Sequence, residues 1–260
     1  MTLTYRALWL SDIHLGTRAA RVDELVHFLS HVCAEEIFLV GDIVDLIYMR
    51  TKGGFGGSHM RVLAALHDLH LRGTRVTYVP GNHDAEFRAL AGTRLAGIPV
   101  EHEVEHVTAQ GRRMLVMHGD ALDGEVRHGT RLERFGAAAY YFILGADVMV
   151  NQLRRQLGRD FYPLSAKIKR RIKSANDYIE RYEVTAARHA RARGFDGIIC
   201  GHIHKPCLRE IDGVLYANDG DWVEHAVALS EDAAGELRLI DWRGRVLTAP
   251  ATTQSAPLAA

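Results

Sequence analysis

Five short segments rich in Asp, His, Asn and Gly punctuate the chain: Asp12-Ile13-His14, Gly41-Asp42-Ile43-Val44-Asp45, Gly81-Asn82-His83-Asp84, His118-Gly119-Asp120 and Gly201-His202-Ile203-His204. Each follows a run that reads as a β-strand or sits in a glycine turn. In open α/β sheets ligand-binding residues gather in the loops at the carboxyl ends of the strands, so this placement constrains the fold more than any other feature. One segment alone would carry little, since an Asp-x-His triplet is most often a turn acid beside a surface histidine. Five in succession at strand ends point to one shared site.

The intervening sequence supports the same architecture. Residues 5–11 and 37–40 form short apolar runs ending in polar turns, residues 76–79 form a third, and residues 22–32 and 60–71 carry apolar positions at helical spacing. This β-α-β-α-β alternation predicts an α/β protein with a largely parallel first sheet. Residues 104–117 read as a hairpin around Gln110-Gly111. Further strands are expected at 196–200, 207–211, 214–217, 226–229 and 237–242, ending in a second sheet. One domain spans 1–247, with a helical insertion at 122–193. The Pro/Ala-rich tail at 248–260 is expected to be disordered.

Charge is informative only when divided. The 260 residues hold 32 Lys+Arg against 32 Asp+Glu, which gives no sign of a wholly basic nucleic-acid coat or an acidic tail. Residues 127–193, however, carry 15 Lys/Arg against 6 Asp/Glu, so the insertion stands near +9 and the remainder near −9. No apolar stretch reaches the ~18–20 residues that a spanning helix needs. The three cysteines, Cys33, Cys200 and Cys207, are too few for a disulfide framework, which fits a reducing compartment. The expected location is cytoplasmic.

In an extended segment residues i and i+2 share a face, so Asp12 and His14 can converge on one ion, and His202 and His204 can project together from their turn. Carboxylate oxygen with imidazole nitrogen suits Mn, Fe or Zn, whereas an all-oxygen set would favour Mg or Ca. Asp12, His14, Asp42, Asn82, His118, His202 and His204 are seven candidate ligands, too many for one ion. They suffice for two divalent ions ~3.5–4 Å apart that share a carboxylate. The adjacent glycines suit sharp turns that need positive φ.

These five segments, in this order through roughly 190 residues, resemble the signature of the calcineurin-like metallophosphoesterase superfamily. The resemblance implies a four-layer αββα sandwich of two mixed sheets with helices outside. It places metal A on Asp12, His14, Asp42 and His204, and metal B on Asp42, Asn82, His118 and His202, with Asp42 bridging. Two ions sharing a water would present hydroxide for in-line attack on phosphorus. His83 is then the candidate for contacting the phosphoryl oxygen or protonating the leaving oxygen, oriented by Asp84. Asp120 is a candidate anchor for a ligand histidine. Asp45 stands where purple acid phosphatases carry a tyrosine, which disfavours that subgroup. His27, His67 and His189 fall on expected helices and should matter little.

Within the superfamily, Ser11-Asp12-Ile13-His14-Leu15-Gly16, the chain's size and a helical insertion between the third histidine segment and the last resemble the bacterial UDP-2,3-diacylglucosamine diphosphatase group, which acts in lipid A synthesis, typically with Mn2+. The best-known branch has arginine where this chain has His83, so the chain looks like a related branch. The expected substrate is UDP-2,3-diacylglucosamine or a related nucleotide-linked lipid or sugar. Residues 135–150 (FGAAAYYFILGADVMV) precede Arg154, Arg155, Arg159, Lys167, Lys169, Arg170, Arg171 and Lys173. Such a lid could hold acyl chains beside a diphosphate, or rest peripherally on an anionic membrane at the inner face of the inner membrane. It could equally be a packed helical pair with a solvated basic face. Asp123, Arg127 and His128 are candidate substrate contacts, and Gly53-Gly54-Phe55-Gly56-Gly57 a mobile loop near the metals. The alternatives are a generic phosphodiesterase or nuclease of the same fold, and a scaffold without catalysis.

Overall fold

The computed structural model describes residues 3–51, 54–126 and 173–247 of the chain. Strand β1 (Leu3–Leu10) leads into helix α1 (Val22–His31), which passes directly into β2 (Val32–Val40). Val22, Leu25, Phe28 and Leu29 form the buried stripe of α1, and Asp23 and Glu24 lie in its first turn, where acidic groups favour the helix dipole. Helices α2 (Leu46–Thr51) and α3 (Gly57–Leu71) precede β3 (Arg75–Val79). A short 3-10 helix, Ala85–Leu90, then leads to β4 (Thr93–Leu95) and β5 (Ile98–Val100), followed by the hairpin β6 (Val104–Val107) and β7 (Arg113–Val116). After a turn at Asp120–Leu122 come α4 (Asp123–Val126) and, beyond residues 127–172, α5 (Lys173–Ala192). The chain closes with β8 (Gly197–Cys200), β9 (Cys207–Ile211), β10 (Val214–Asn218), β11 (Val227–Glu231) and β12 (Leu237–Asp241).

A seven-stranded sheet in the order β12-β11-β1-β2-β3-β5-β4 faces a five-stranded sheet in the order β6-β7-β8-β10-β9. The period-2 alternation of strand side chains divides the core into layers. Leu8 and Leu10 pack with Leu25, Phe28 and Leu66 beneath α1 and α3. Ala7, Trp9, Phe38 and Val40 meet Met114, Val116, Ile199 and Ala217 between the sheets. Tyr182, Ala186, Ala187 and Ala190 of α5 pack on Leu115, Ile198 and Tyr216 across the outer face of the second sheet. This is the four-layer sandwich. Trp9 is fully buried, and its truncation to Ala should cost about 3–5 kcal/mol.

The parallel strands β1, β2, β3 and β5 are flanked by antiparallel partners, so the first sheet is largely parallel and mixed overall, as expected. One strand placement differs from expectation. The last two strands return to this first sheet, where β11 pairs antiparallel with β1. Without β11 the free edge of β1 would leave buried backbone groups unpaired, a demand that no local pattern reveals. The glycine loop is more tethered than expected: Phe55 packs against the core, Gly56 caps α3, and the His59 ring bonds the Gly56 amide (3.2 Å) and the Thr17 carbonyl (3.2 Å). Arg127, His128, the apolar 135–150 segment, the basic residues 154–171 and the tail 248–260 lie outside the described residues. Among the described residues no helix is long and apolar enough to cross a membrane.

Candidate metal centre

The site is built where strands stop. Asp12, His14, Asp42, His202 and His204 all adopt left-handed backbone, with φ of 50°, 51°, 54°, 67° and 49°. The expected extended i, i+2 geometry is therefore replaced by tight turns. The segment that follows β1 stays hydrogen-bonded to the segment that follows β2 through Asp12 N to Gly41 O (3.0 Å), His14 N to Asp42 O (2.8 Å) and Leu15 N to Ile43 O (2.9 Å). Non-glycine residues held in this region store about 1–3 kcal/mol each, and such strain concentrates at functional sites. Here it falls on five of the seven candidate ligands.

Two glycines are required by crowding. A Cβ on Gly41, whose φ is +81°, would collide with the His118 ring, and a Cβ on Gly81 would collide with the Asp42 carboxylate. Only the first needs positive φ; Gly81 serves close approach rather than an unusual backbone.

The side chains converge. His14 Nε2 lies 3.3 Å from His204 Nε2, 3.8 Å from Asp12 Oδ1 and 3.9 Å from Asp42 Oδ2. Asp42 Oδ2 is also 3.4 Å from His118 Nε2, which lies 3.2 Å from Asn82 Oδ1. Asp42 thus stands between the two histidine sets, as a bridging carboxylate must. Asp12 Oδ2 is satisfied by the Ser11 hydroxyl (2.6 Å) and the His202 amide (2.9 Å). Asp12 Oδ1, by contrast, is buried, within ion-pair distance of His204 Nε2 (3.0 Å) but aligned for no hydrogen bond. A buried carboxylate oxygen without a hydrogen bond, facing imidazole nitrogens, fits a cation. Among the described residues, three groups of side chains are close enough to hold an ion: Asp12, His14 and His204; Asp12, Asp42 and His118; and His14, Asp45 and His83.

Electrostatics bind the cluster tightly. Burial pushes His14 down, but the Asp45 hydrogen bond and the Asp42 and Asp12 charges lift it to about 9. His118 is likewise raised well above its usual range, against burial, chiefly by Asp42. Burial works to raise Asp12 and Asp42, yet the surrounding histidines hold both carboxyls below the ordinary range. Protons and metal ions compete for these same atoms.

Neighbouring residues divide differently from expectation. Asp84 does not orient His83. It is fully buried and accepts the backbone amides of Gly81 (2.6 Å), Ile43 (2.8 Å), Asp42 (3.2 Å) and Val44 (3.3 Å), together with the Tyr78 hydroxyl (2.5 Å), bracing the two turns against each other. The acid beside His83 is Asp45, whose Oδ2 lies 3.0 Å from His83 Nδ1 and 3.1 Å from His14 Nδ1. Sequence reasoning assigned Asp45 no role, although its position three residues after Asp42, in the same turn, was the available signal. Asp120 bonds Arg88 (2.7 Å), whereas Asp123 lies 3.1 Å from Nε2 of the candidate ligand His202. His118 instead anchors Nδ1 on the Val40 carbonyl (2.8 Å).

A family model, the calcineurin-like phosphoesterase superfamily domain, matches residues 6–146, more than half of the chain. The chain belongs to this superfamily. As a metallophosphoesterase it is a hydrolase of phosphoester bonds, and the family's use of divalent metals agrees with the clustered donors. No curated protein matches the sequence. Solved structures that resemble it include an archaeal phosphodiesterase (14% identity, TM-score 0.47, covering 90% of this chain and 98% of that one). Others are a predicted phosphoesterase from Streptococcus pneumoniae TIGR4 (13%, 0.39, 94% and 92%) and zinc-complexed Vps29 from Entamoeba histolytica (14%, 0.40, 90% and 89%).

Proposed function

We propose that this metallophosphoesterase cleaves a diphosphate or phosphodiester with two divalent ions, Mn2+ foremost and Fe or Zn as substitutes. Asp12, His14, Asp42 and His204 would hold one ion, and Asp42, Asn82, His118 and His202 the other. The observation that carries this reading is the convergence of Asp12 Oδ1, lacking a hydrogen bond, with His14 and His204, beside an Asp42 that faces His14 and His118 together. When bound, the ions supply charge neutralisation for the phosphoryl oxygens and acidify a water. The chain's own residues do the rest. His83, with its side chain 14% exposed, stands at the rim, with its Nδ1 turned to Asp45 Oδ2 at ion-pair distance (3.0 Å). Nε2 is then the nitrogen that contacts the phosphoryl oxygen or gives a proton to the leaving oxygen. Asp84 keeps the turns carrying Asp42 and Asn82 in register.

The substrate on this reading is UDP-2,3-diacylglucosamine or a related nucleotide-linked lipid or sugar. The likeness of residues 11–16 to that diphosphatase group supports it, as does an insertion that combines an apolar stretch with a basic run between the His118 and His202 segments. The same composition supports peripheral contact with an anionic membrane. The 15 Lys/Arg of residues 127–193 also favour a second reading, a phosphodiesterase or nuclease that grips a polyanion. A mass-spectrometric hydrolysis panel separates them: UDP-diacylglucosamine, acyl-free UDP-sugars, CDP-alcohols and short DNA, each with added Mn2+. Preferential release of UMP from the acylated substrate is expected. Equal turnover with and without acyl chains overturns lipid selectivity, and turnover of DNA alone establishes the nuclease.

A further inference from the structure

The insertion leaves the body through α4 and returns through α5, and each helix contributes one residue to a contact on His202. Asp123, at the start of α4, places Oδ1 3.1 Å from His202 Nε2, and the same oxygen accepts the Tyr178 hydroxyl of α5 at 2.6 Å. Tyr182, one turn further and fully buried, lies with its ring 6.0 Å from that of His202, and His118 lies 5.3 Å from the His202 ring. The helix is held firmly behind this contact, because Ile179, Tyr182, Ala186, Ala187 and Ala190 are buried against the second sheet. The backbone of His202 is equally constrained, with φ of 67° and its amide on Asp12 Oδ2.

An ionised carboxylate only accepts hydrogen bonds, so the ring nitrogen facing Asp123 is the one that carries hydrogen. In a neutral imidazole protonated at Nε2 the lone pair sits on Nδ1. The opposite holds at His14 and His118, whose Nδ1 atoms are engaged by Asp45 and by the Val40 carbonyl and whose Nε2 atoms face the carboxylates. We propose that Tyr178 and Asp123 are positioning residues that fix the tautomer and orientation of His202, so that it presents Nδ1, rather than Nε2, to the second metal ion. This rests on the two-ion reading above. It makes the two ends of the insertion part of the support of the metal centre, and it gives Asp123 a role besides the expected substrate contact. Partners that orient a ligand histidine in this way are commonly worth about 10- to 100-fold in metal affinity.

The test begins with the metal-free, 15N-histidine-labelled full chain. Long-range 1H–15N correlation spectra, with His202 assigned from its loss in His202→Gln, should show hydrogen on Nε2 in the wild type and a mixed population in Asp123→Ala. Calorimetric titration with Mn2+ should then show two ions per wild-type chain. In Asp123→Ala one of the two sites should lose about 10- to 100-fold in affinity while the other is retained. Asp123→Asn, whose amide oxygen still accepts, should recover part of the loss. Tyr178→Phe, which keeps the ring, should show a smaller loss in the same direction and serves if Asp123→Ala fails to fold. A wild-type chain that binds one ion or none overturns the two-ion reading, and the relay's role with it. Two ions bound with His202 protonated at Nδ1, or with affinities that neither Asp123→Ala nor Tyr178→Phe alters, overturns the relay alone.

Discussion

Two clusters in this molecule bury histidine among carboxylates, and they differ in how completely their charges are answered. Between the sheets, His106 of β6 sits 2.6 Å from Glu231 and 3.3 Å from Glu36, two acids that flank Ala7 from the neighbouring strands. Glu231 also takes the Arg6 guanidinium (2.7 and 2.8 Å) and the Ala109 amide (2.7 Å), and Glu36 takes Arg75 (2.6 and 2.9 Å). Every acid there has a permanent cation, and no residue among them has positive φ. At the strand ends, the ion-pair partners of Asp12, Asp42 and Asp45 are histidines, with no Arg or Lys hydrogen-bonded to them among the described residues, and five backbone positions are strained. A closed cluster ties two sheets together. The open one stores strain and leaves a carboxylate oxygen without a hydrogen bond, which is the condition for binding a cation.

The sharpest way to break this contrast is Asp42→Asn. Removing the shared charge should lower Mn2+-supported phosphodiesterase activity by about 10³-fold or more and reduce bound metal measured by elemental analysis. Retention of both would remove the distinction between the clusters. His83→Ala should lower turnover by about 10²-fold at unchanged metal content, as expected for a lost proton-transfer group, and near-wild-type turnover would contradict its assigned role.

Stability separates the clusters next. Metal at about 100 times its dissociation constant should stabilise the fold by about 2.7 kcal/mol in thermal melts. The gain should diminish as pH falls, since ions must displace protons from His14, raised to about 9, and from His118. A metal response independent of pH would argue against ligation by these rings. His106→Gln should leave metal content and hydrolysis intact and cost about 2 kcal/mol. Its pH dependence has a definite sign. Burial pulls the His106 pKa down, and Glu231 and Glu36 more than offset it, so the folded value is raised. The stabilisation is therefore complete below the unfolded value of about 6.5 and is lost as pH rises through the folded one. The gap between wild type and His106→Gln should narrow with rising pH, and a gap that widens would refute the account.

Much of this was visible in the chain. The continuous apolar run of residues 7–10 marks a strand buried on both faces, and the Asp/His/Asn/Gly turns mark where such strands stop. The return of β11 to the edge of β1 was not visible, because strand pairing across more than two hundred residues leaves no local periodicity. The roles of Asp45, Asp84 and Asp120 were misjudged for a related reason: adjacency in sequence put Asp84 next to His83, while the turn aims its carboxylate at backbone amides around Asp42.

The sequence by itself determined the α/β alternation and the residue types of the metal site, since burial patterns and turn chemistry act over a few neighbouring residues. Only the tertiary structure decided which acid serves which histidine. Asp45 reaches back 31 positions to His14, Asp123 reaches 79 to His202, and the His202 amide reaches 190 to Asp12. Those pairings depend on where separate strands end in space, and on left-handed turns that the folded sheets hold against their own strain.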